Sequence, residues 1–157
     1  MEIRAYEAQD EARIAAIWHR AGLDEYDYLP AFQALTPEQA GAVFAEVIVP
    51  DAQLAVAWIE DQPAGFIALR GSYVDRLYVD PQRQRRGCGS RLLDWARQQS
   101  PQSLELHTHQ QNSRARAFYE KHGFKAVAFG MSPAPERVPD VEYHWRPADD
   151  DADNTIE

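Results

Sequence analysis

The sequence predicts one α/β (α+β) domain, a mixed, mostly antiparallel sheet of six to seven strands with about four helices on its two faces. Three observations carry this. Runs of β-branched and aromatic residues alternate with runs whose apolar residues recur at helical spacing. Three strand-like runs, Gln53 to Ile59, Ala64 to Arg70 and Tyr73 to Val79, follow one another across Glu60-Asp61-Gln62-Pro63 and Gly71-Ser72, connectors short enough to imply an antiparallel meander. The next strand, Ser103 to His109, is reached only through a helix, a crossover that makes it parallel to Tyr73–Val79 if the two are neighbours. A ligand crevice is then expected at their carboxyl ends.

Taken in order, Ile3 to Tyr6 reads as a first strand and Asp10 to Ala21 as a helix, with Ile14, Ile17, Trp18 and Ala21 on one face and Gly22 as its stop. Leu23 to Leu35 breaks the pattern. It is too polar for core and too aromatic for a plain linker, so it either lines a substrate site or packs its tyrosines on the body. Thr36-Pro37-Glu38-Gln39 supplies an N-cap, a proline at the first helical position and an acid in the first turn, opening a helix that ends near Pro50. After the meander, Gly87-Cys88-Gly89 opens a helix in which Gly89, Leu92, Leu93 and Ala96 share a face. Asn112 to His122 is a second phased helix with Ala115, Phe118, Tyr119 and His122 on one side and Gly123 as its end. Phe124 to Phe129 and Val141 to Trp145 complete the strands, separated by a long turn rich in proline. Ile3–Tyr6 and Val141–Trp145 are expected at sheet edges, where they could pair across a homodimer.

The chain of 157 residues, 45% of them hydrophobic, suits one core, placed at residues 1–147. The acidic stretch Asp149-Asp150-Asp151-Ala152-Asp153 marks 148–157 as a solvated, disordered tail. No run of about 18 apolar residues is present for a membrane span, and Met1-Glu2-Ile3-Arg4 does not open a secretory signal. A soluble cytoplasmic protein with no membrane partner is the expectation. Cys88 is the single cysteine, which rules out an internal disulfide, and metal-ligand spacing is absent. With 25 acids against 16 Lys and Arg the net charge is −9, which disfavours nucleic acid and favours a cationic partner.

Against this acidic background, Arg83, Arg85, Arg86 and Arg91 crowd one loop with no acid between Asp80 and Asp94. The loop joins a strand to a helix, so its unpaired backbone N–H groups lie at the positive end of the helix dipole, a geometry that binds phosphate. Two common nucleotide motifs fail on residues. Gly87-Cys88-Gly89-Ser90-Arg91 lacks the Gly-Lys-Ser/Thr of a P-loop. Leu92 stands where a dinucleotide fingerprint needs its third small residue.

Gln84-Arg85-Arg86-Gly87-Cys88-Gly89 does resemble the Q/R-x-x-G-x-G/A signature of the GNAT acyltransferase superfamily. Asn112-Ser113-Arg114-Ala115-Arg116-Ala117-Phe118-Tyr119-Glu120-Lys121-His122-Gly123-Phe124 is similar to its second signature, N-x-x-A-x-x-F-Y-x-x-x-G-F, at every fixed position. With Leu77-Tyr78-Val79-Asp80-Pro81 before the loop, the resemblance covers roughly residues 53 to 130. It implies acetyl-CoA as cosubstrate and no metal. The pantetheine arm would pair with the backbone of Leu77, Tyr78 and Val79, and the pyrophosphate would sit on the N–H groups from Gln84 and Arg85 through Arg86, Gly87, Cys88 and Gly89 to Ser90. Asn112 would contact the cofactor, although it also suits an N-cap. Tyr119 would be the general acid, although spacing alone makes it a core aromatic.

The implied reaction is direct transfer of acetyl to a primary amine of a small molecule or peptide in a ternary complex; the alternative is a catalytically silent acyl-CoA sensor. A lysine-like amine of pKa about 10.4 costs roughly 4 to 5 kcal/mol to deprotonate at pH 7, so a base or water chain is required. Asp75, His107, His109, Glu25 and Asp27 are the candidates, with Asp75 and His109 carried forward. A tyrosine of pKa near 10 can protonate a departing thiolate of pKa near 8.5 at a mismatch of about 1.5 units. Cys88, at a helix N-terminus beside arginines, is expected to be unusually acidic and offers a second route as an acyl acceptor.

Overall fold

The computed structural model describes residues 1–147; the acidic stretch read from sequence as a disordered tail, 148–157, lies outside the described residues. The fold is mixed α/β, with seven strands paired mostly antiparallel and five α-helices. The described residues divide into two compact units, Met1–Arg70 with Val74–Ala96, and Gly71–Tyr73 with residues 97–147.

In the first unit, β1 (Glu2–Ala5), β2 (Gln53–Ile59), β3 (Gln62–Arg70) and β4 (Tyr73–Val79) lie side by side in sequence order, with β1–β2 and β2–β3 antiparallel. Leu54 to Ile59 and Pro63 to Leu69 are buried without a break, as expected of strands covered on both faces. The β2–β3 connection is tighter than the sequence suggests. Ile59 pairs directly with Gln62, so Glu60 and Asp61 alone make the turn, and β3 starts at Gln62 rather than Ala64. A register shift opposite Ala57 and Trp58 skips Ala64, which lets Pro63, lacking an N–H, sit inside the strand. Both turn residues are left-handed, at φ 52° and 62°, a conformation that suits Asn-Gly far better than Glu-Asp. The double replacement Glu60→Asn, Asp61→Gly is expected to stabilise the protein by about 1 kcal/mol, read as a shifted urea midpoint at constant slope.

Helix α1 (Glu11–Glu25) runs through Gly22 instead of stopping there. The glycine serves close approach. A Cβ at that position would lie 2.1 Å from Cζ of Phe32, whose ring packs edge-on to Trp18 at 5.4 Å. The 23–35 segment is thus helical as far as Glu25 and folds back through a short α2 (Pro30–Gln33). Its Tyr26 packs on the body. Thr36 caps α3 (Pro37–Val43) with a reciprocal capping box to Gln39, as its sequence signals. The helix expected to reach Pro50 changes at Phe44 to a π-helical turn, Phe44–Ile48. Arg70 accounts for how that turn ends. Its guanidinium donates to the carbonyls of Val47, Ile48 and Pro50 at 2.7–3.2 Å, groups left without helical partners. Phe44 meets Phe66 edge-on and Phe66 stacks on Tyr78 within this unit's core.

The second unit holds β5 (Leu104–His109), β7 (Pro139–Trp145) and β6 (Lys125–Met131) in that spatial order, antiparallel, with α5 (Ser113–Lys121) between β5 and β6 in sequence. The edge assignment for Val141–Trp145 is therefore overturned. β7 lies between β5 and β6, because its Val141, Tyr143 and Trp145 need cover while all of β6 is exposed. The parallel relation anticipated from the crossover is present, with Tyr73 opposite Glu105 and the Glu105 N–H donating to Ser72 at 3.0 Å.

Candidate active site

In the first unit the site residues run from β4 into α4 (Cys88–Gln99). Tyr78 turns inward on the strand, and its hydroxyl shares a hydrogen bond with that of Tyr26 at 2.7 Å. Burial holds both phenols above their ordinary pKa, so both stay neutral. Leu77 and Val79 flank it on the opposite face and are only partly buried. Gly65 of β3 lies beneath. A Cβ there would come within 2.8 Å of the Tyr78 carbonyl oxygen and 3.3 Å of the Val79 Cα.

Asp80 ends β4 and starts the loop. Its Oδ1 accepts from the Gln82 N–H at 3.1 Å, capping a 3-10 turn over Pro81–Arg83. Arg83 donates through Nη2 to the Gln62 side chain at 2.5 Å, which ties the loop to the start of β3. Gln84 is extended, Arg85 is left-handed at φ 68° and Gly87 at φ 80°. Alternating handedness turns successive N–H groups toward one side, the backbone concavity that holds anions. Arg85 and Arg86 are exposed, while Gly89 and Ser90 are partly buried in the first turn of α4. Together, an anion nest, two exposed guanidiniums and a helix N-terminus fit a pyrophosphate.

Cys88 departs from expectation. It takes the first core position of α4, ahead of Leu92, Leu93 and Ala96, leaving Gly89 only partly covered. Burial pushes its thiol pKa up, and the opposing pull of the amino terminus, Arg83 and Arg86 is the smaller effect. That burial opposes the acidic, acyl-accepting Cys88 expected from the sequence. Asp75, on β4, is also engaged, with Arg70 at 3.4 Å and Arg76 at 3.2 Å.

In the second unit, Asn112 is buried and caps α5, its Oδ1 accepting from the Ala115 N–H at 3.2 Å. Tyr119 is buried near the C-terminal end of α5, against Phe118, Phe124 and Tyr143 with centroids 5.3–6.3 Å away. Sequence reasoning passed over the residue that fixes this helix. The hydroxyl of the fully buried Tyr143 donates to Glu120 Oε2 at 2.5 Å and accepts from Arg116 Nε at 3.0 Å. The strict alternation of Val141, Tyr143 and Trp145 was the available signal, since it marks Tyr143 as an inward position whose hydroxyl needs partners.

His109 ends β5 with Nε2 3.6 Å from Glu136 Oε2 and little side-chain exposure. His107 is more exposed and braced at both nitrogens, by the Tyr73 hydroxyl at 2.9 Å and Glu142 at 3.4 Å. Glu142 also holds His144 at 2.6 Å. Among the described residues no group of three or more His, Cys, Asp or Glu is arranged to hold a metal ion, and no helix is long and apolar enough to cross a membrane.

Comparison with known proteins agrees with this layout. The family model of the acetyltransferase (GNAT) domain matches residues 50–126, which span β2 to the start of β6. The chain is 32% identical over 128 residues to the peptidyl-lysine N-acetyltransferase YjaB of Salmonella typhimurium LT2, covering 81% of this chain and 85% of that protein. It is 34% identical to YjaB of Escherichia coli K12, covering 81% and 84%. The solution structure of apo YjaB from Escherichia coli superposes with a TM-score of 0.76 at 27% identity over 92% of this chain and 96% of that one. A Bacillus anthracis acetyltransferase solved with acetyl coenzyme A matches with a TM-score of 0.54 at 25% identity over 62% and 63%. Signatures, fold and relatives agree, and the chain belongs to the GNAT family of acetyl-CoA-dependent N-acetyltransferases.

Proposed function

We propose that this chain is a peptidyl-lysine N-acetyltransferase, transferring acetyl from acetyl-CoA directly to the ε-amine of a lysine in a peptide or protein. The observation that carries the acceptor class is the identity of 32–34% to two relatives of that name across 84–85% of their lengths. The nest at Arg85–Gly87, with Gln84, Arg86, Cys88, Gly89 and Ser90, would hold the pyrophosphate through backbone N–H groups. The backbone of Leu77, Tyr78 and Val79 would align the pantetheine arm, and Asn112 would add a cofactor contact.

Tyr119 is the proton donor to the departing thiolate in this reading, and its phenol needs no charged form to do so. His109 is the favoured proton acceptor for the amine, because it stands at the end of β5 with Glu136 Oε2 3.6 Å from its Nε2, a partner that orients the ring. Asp75 is the weaker candidate, since taking a proton would cost it two arginine contacts.

The test is acetyl-CoA-dependent thiol release with lysine peptides, lysine-free peptides with a free α-amine, and polyamines, with mass spectrometry locating the acetyl group. Acetylation at lysine Nε is expected. Turnover confined to α-amines or polyamines would overturn the acceptor class, and tight CoA binding without turnover would favour the silent sensor. As a control, the double variant Arg85→Ala, Arg86→Ala should weaken CoA binding about tenfold without changing stability, as both side chains are solvent-exposed.

A further inference from the structure

The carboxylate of Asp80 is hard to explain at first. It is among the few buried charged groups of the first unit, 3% exposed, and it opens the loop that the proposed function assigns to an anion. A bare negative charge there would oppose phosphate binding. The structure supplies a counter-charge from outside the loop: Arg20 of α1 donates through Nη2 to Asp80 Oδ2 at 2.7 Å. The remaining polar groups of Asp80 are also engaged. Its N–H donates to the Ala64 carbonyl at 2.8 Å, its carbonyl accepts from the Arg83 N–H at 2.8 Å, and Oδ1 holds the Gln82 N–H. Ala64 is the residue skipped in the β2–β3 register, and its carbonyl meets Asp80 on the β4 side. One residue therefore ties α1, β3 and the loop together, and Arg20 is the only cation that the structure pairs with it among the described residues.

We propose that Arg20 is a positioning residue for acetyl-CoA binding, acting through Asp80 by neutralising the carboxylate under the phosphate loop and holding the loop's first turn in place. This rests on the acetyl-CoA reading of the loop. Arg20 belongs to neither family signature and sits 60 positions from its partner, so nothing in the sequence marks it.

The test is CoA affinity by calorimetry together with steady-state kinetics on the wild type, Arg20→Gln, Arg20→Lys and the double variant Arg20→Gln, Asp80→Asn. Arg20→Gln should weaken CoA binding about tenfold, the effect of one uncompensated charge several ångströms from an anion site at intermediate dielectric. Its kcat at saturating acetyl-CoA should stay within about twofold of wild type while KM for acetyl-CoA rises. Arg20→Lys should recover most of the affinity. The double variant should also recover it, because Asp80→Asn removes the charge that Arg20 had balanced while an amide oxygen still accepts from Gln82. A purely structural role would instead lower the melting temperature of Arg20→Gln with little change in the CoA affinity of the folded protein. Wild-type affinity in Arg20→Gln, or a double variant no better than Arg20→Gln, would overturn the proposal with the acetyl-CoA reading intact. Failure of the wild type to bind CoA would overturn both.

Discussion

Replacing Tyr119 by phenylalanine is expected to lower kcat by about a hundredfold or more while leaving CoA affinity near wild type. The substitution removes one oxygen and keeps the ring that packs on Phe118, Phe124 and Tyr143, so the core of the second unit should hold. The loss should be greatest for poor leaving groups, because the proton matters most when the departing group is basic. Pre-steady-state thiol release separates this from slow product release. A variant with wild-type kcat would leave Tyr119 as core packing only. In parallel, His109→Gln should lower kcat/KM by about a hundredfold, the usual contribution of a positioned general base. An unchanged kcat/KM would point to water or to Asp75.

The second large effect is expected at Gly65. A hydrogen is the only side chain that position tolerates, because a methyl carbon would lie 2.8 Å from the Tyr78 carbonyl oxygen and 3.3 Å from the Val79 Cα. Those neighbours are backbone atoms of β4 and have no rotamer to change. Gly65→Ala is therefore expected to cost about 2–3 kcal/mol of stability, seen as a melting temperature lower by roughly 6 °C. It should also raise KM for acetyl-CoA, because relief of the clash moves the Tyr78–Val79 backbone proposed to align the cofactor. A loss below about 0.5 kcal/mol would show that β4 shifts freely, and would weaken its role as a rigid platform.

Gly22 makes an instructive contrast. From sequence it reads as a helix stop, and the structure instead makes it a notch for Phe32 inside a helix that continues to Glu25. The same residue type satisfies a terminator or a close approach, and only the neighbour across space distinguishes them. Cys88 shows the same limit. Helix terminus and flanking arginines argued for an acidic thiol, but burial, which the charge pattern does not report, is the largest influence on it and acts in the opposite direction.

What the sequence by itself determined is therefore local and periodic. The β2 and β4 spans agree to the residue, as does the cap at Thr36, because alternation, capping and proline act within a few positions. The strand-loop-helix carrying Gln84 to Ser90 and the helix carrying Asn112 and Tyr119 were legible for the same reason, as fixed spacings. The tertiary structure alone decided which charges meet. Arg20 finds Asp80, Tyr143 bridges Arg116 and Glu120, and β7 lies inside rather than at the edge. These pairings join residues up to 60 positions apart through packing that no short window contains, and packing sets both the desolvation and the partner that give each ionisable group its role.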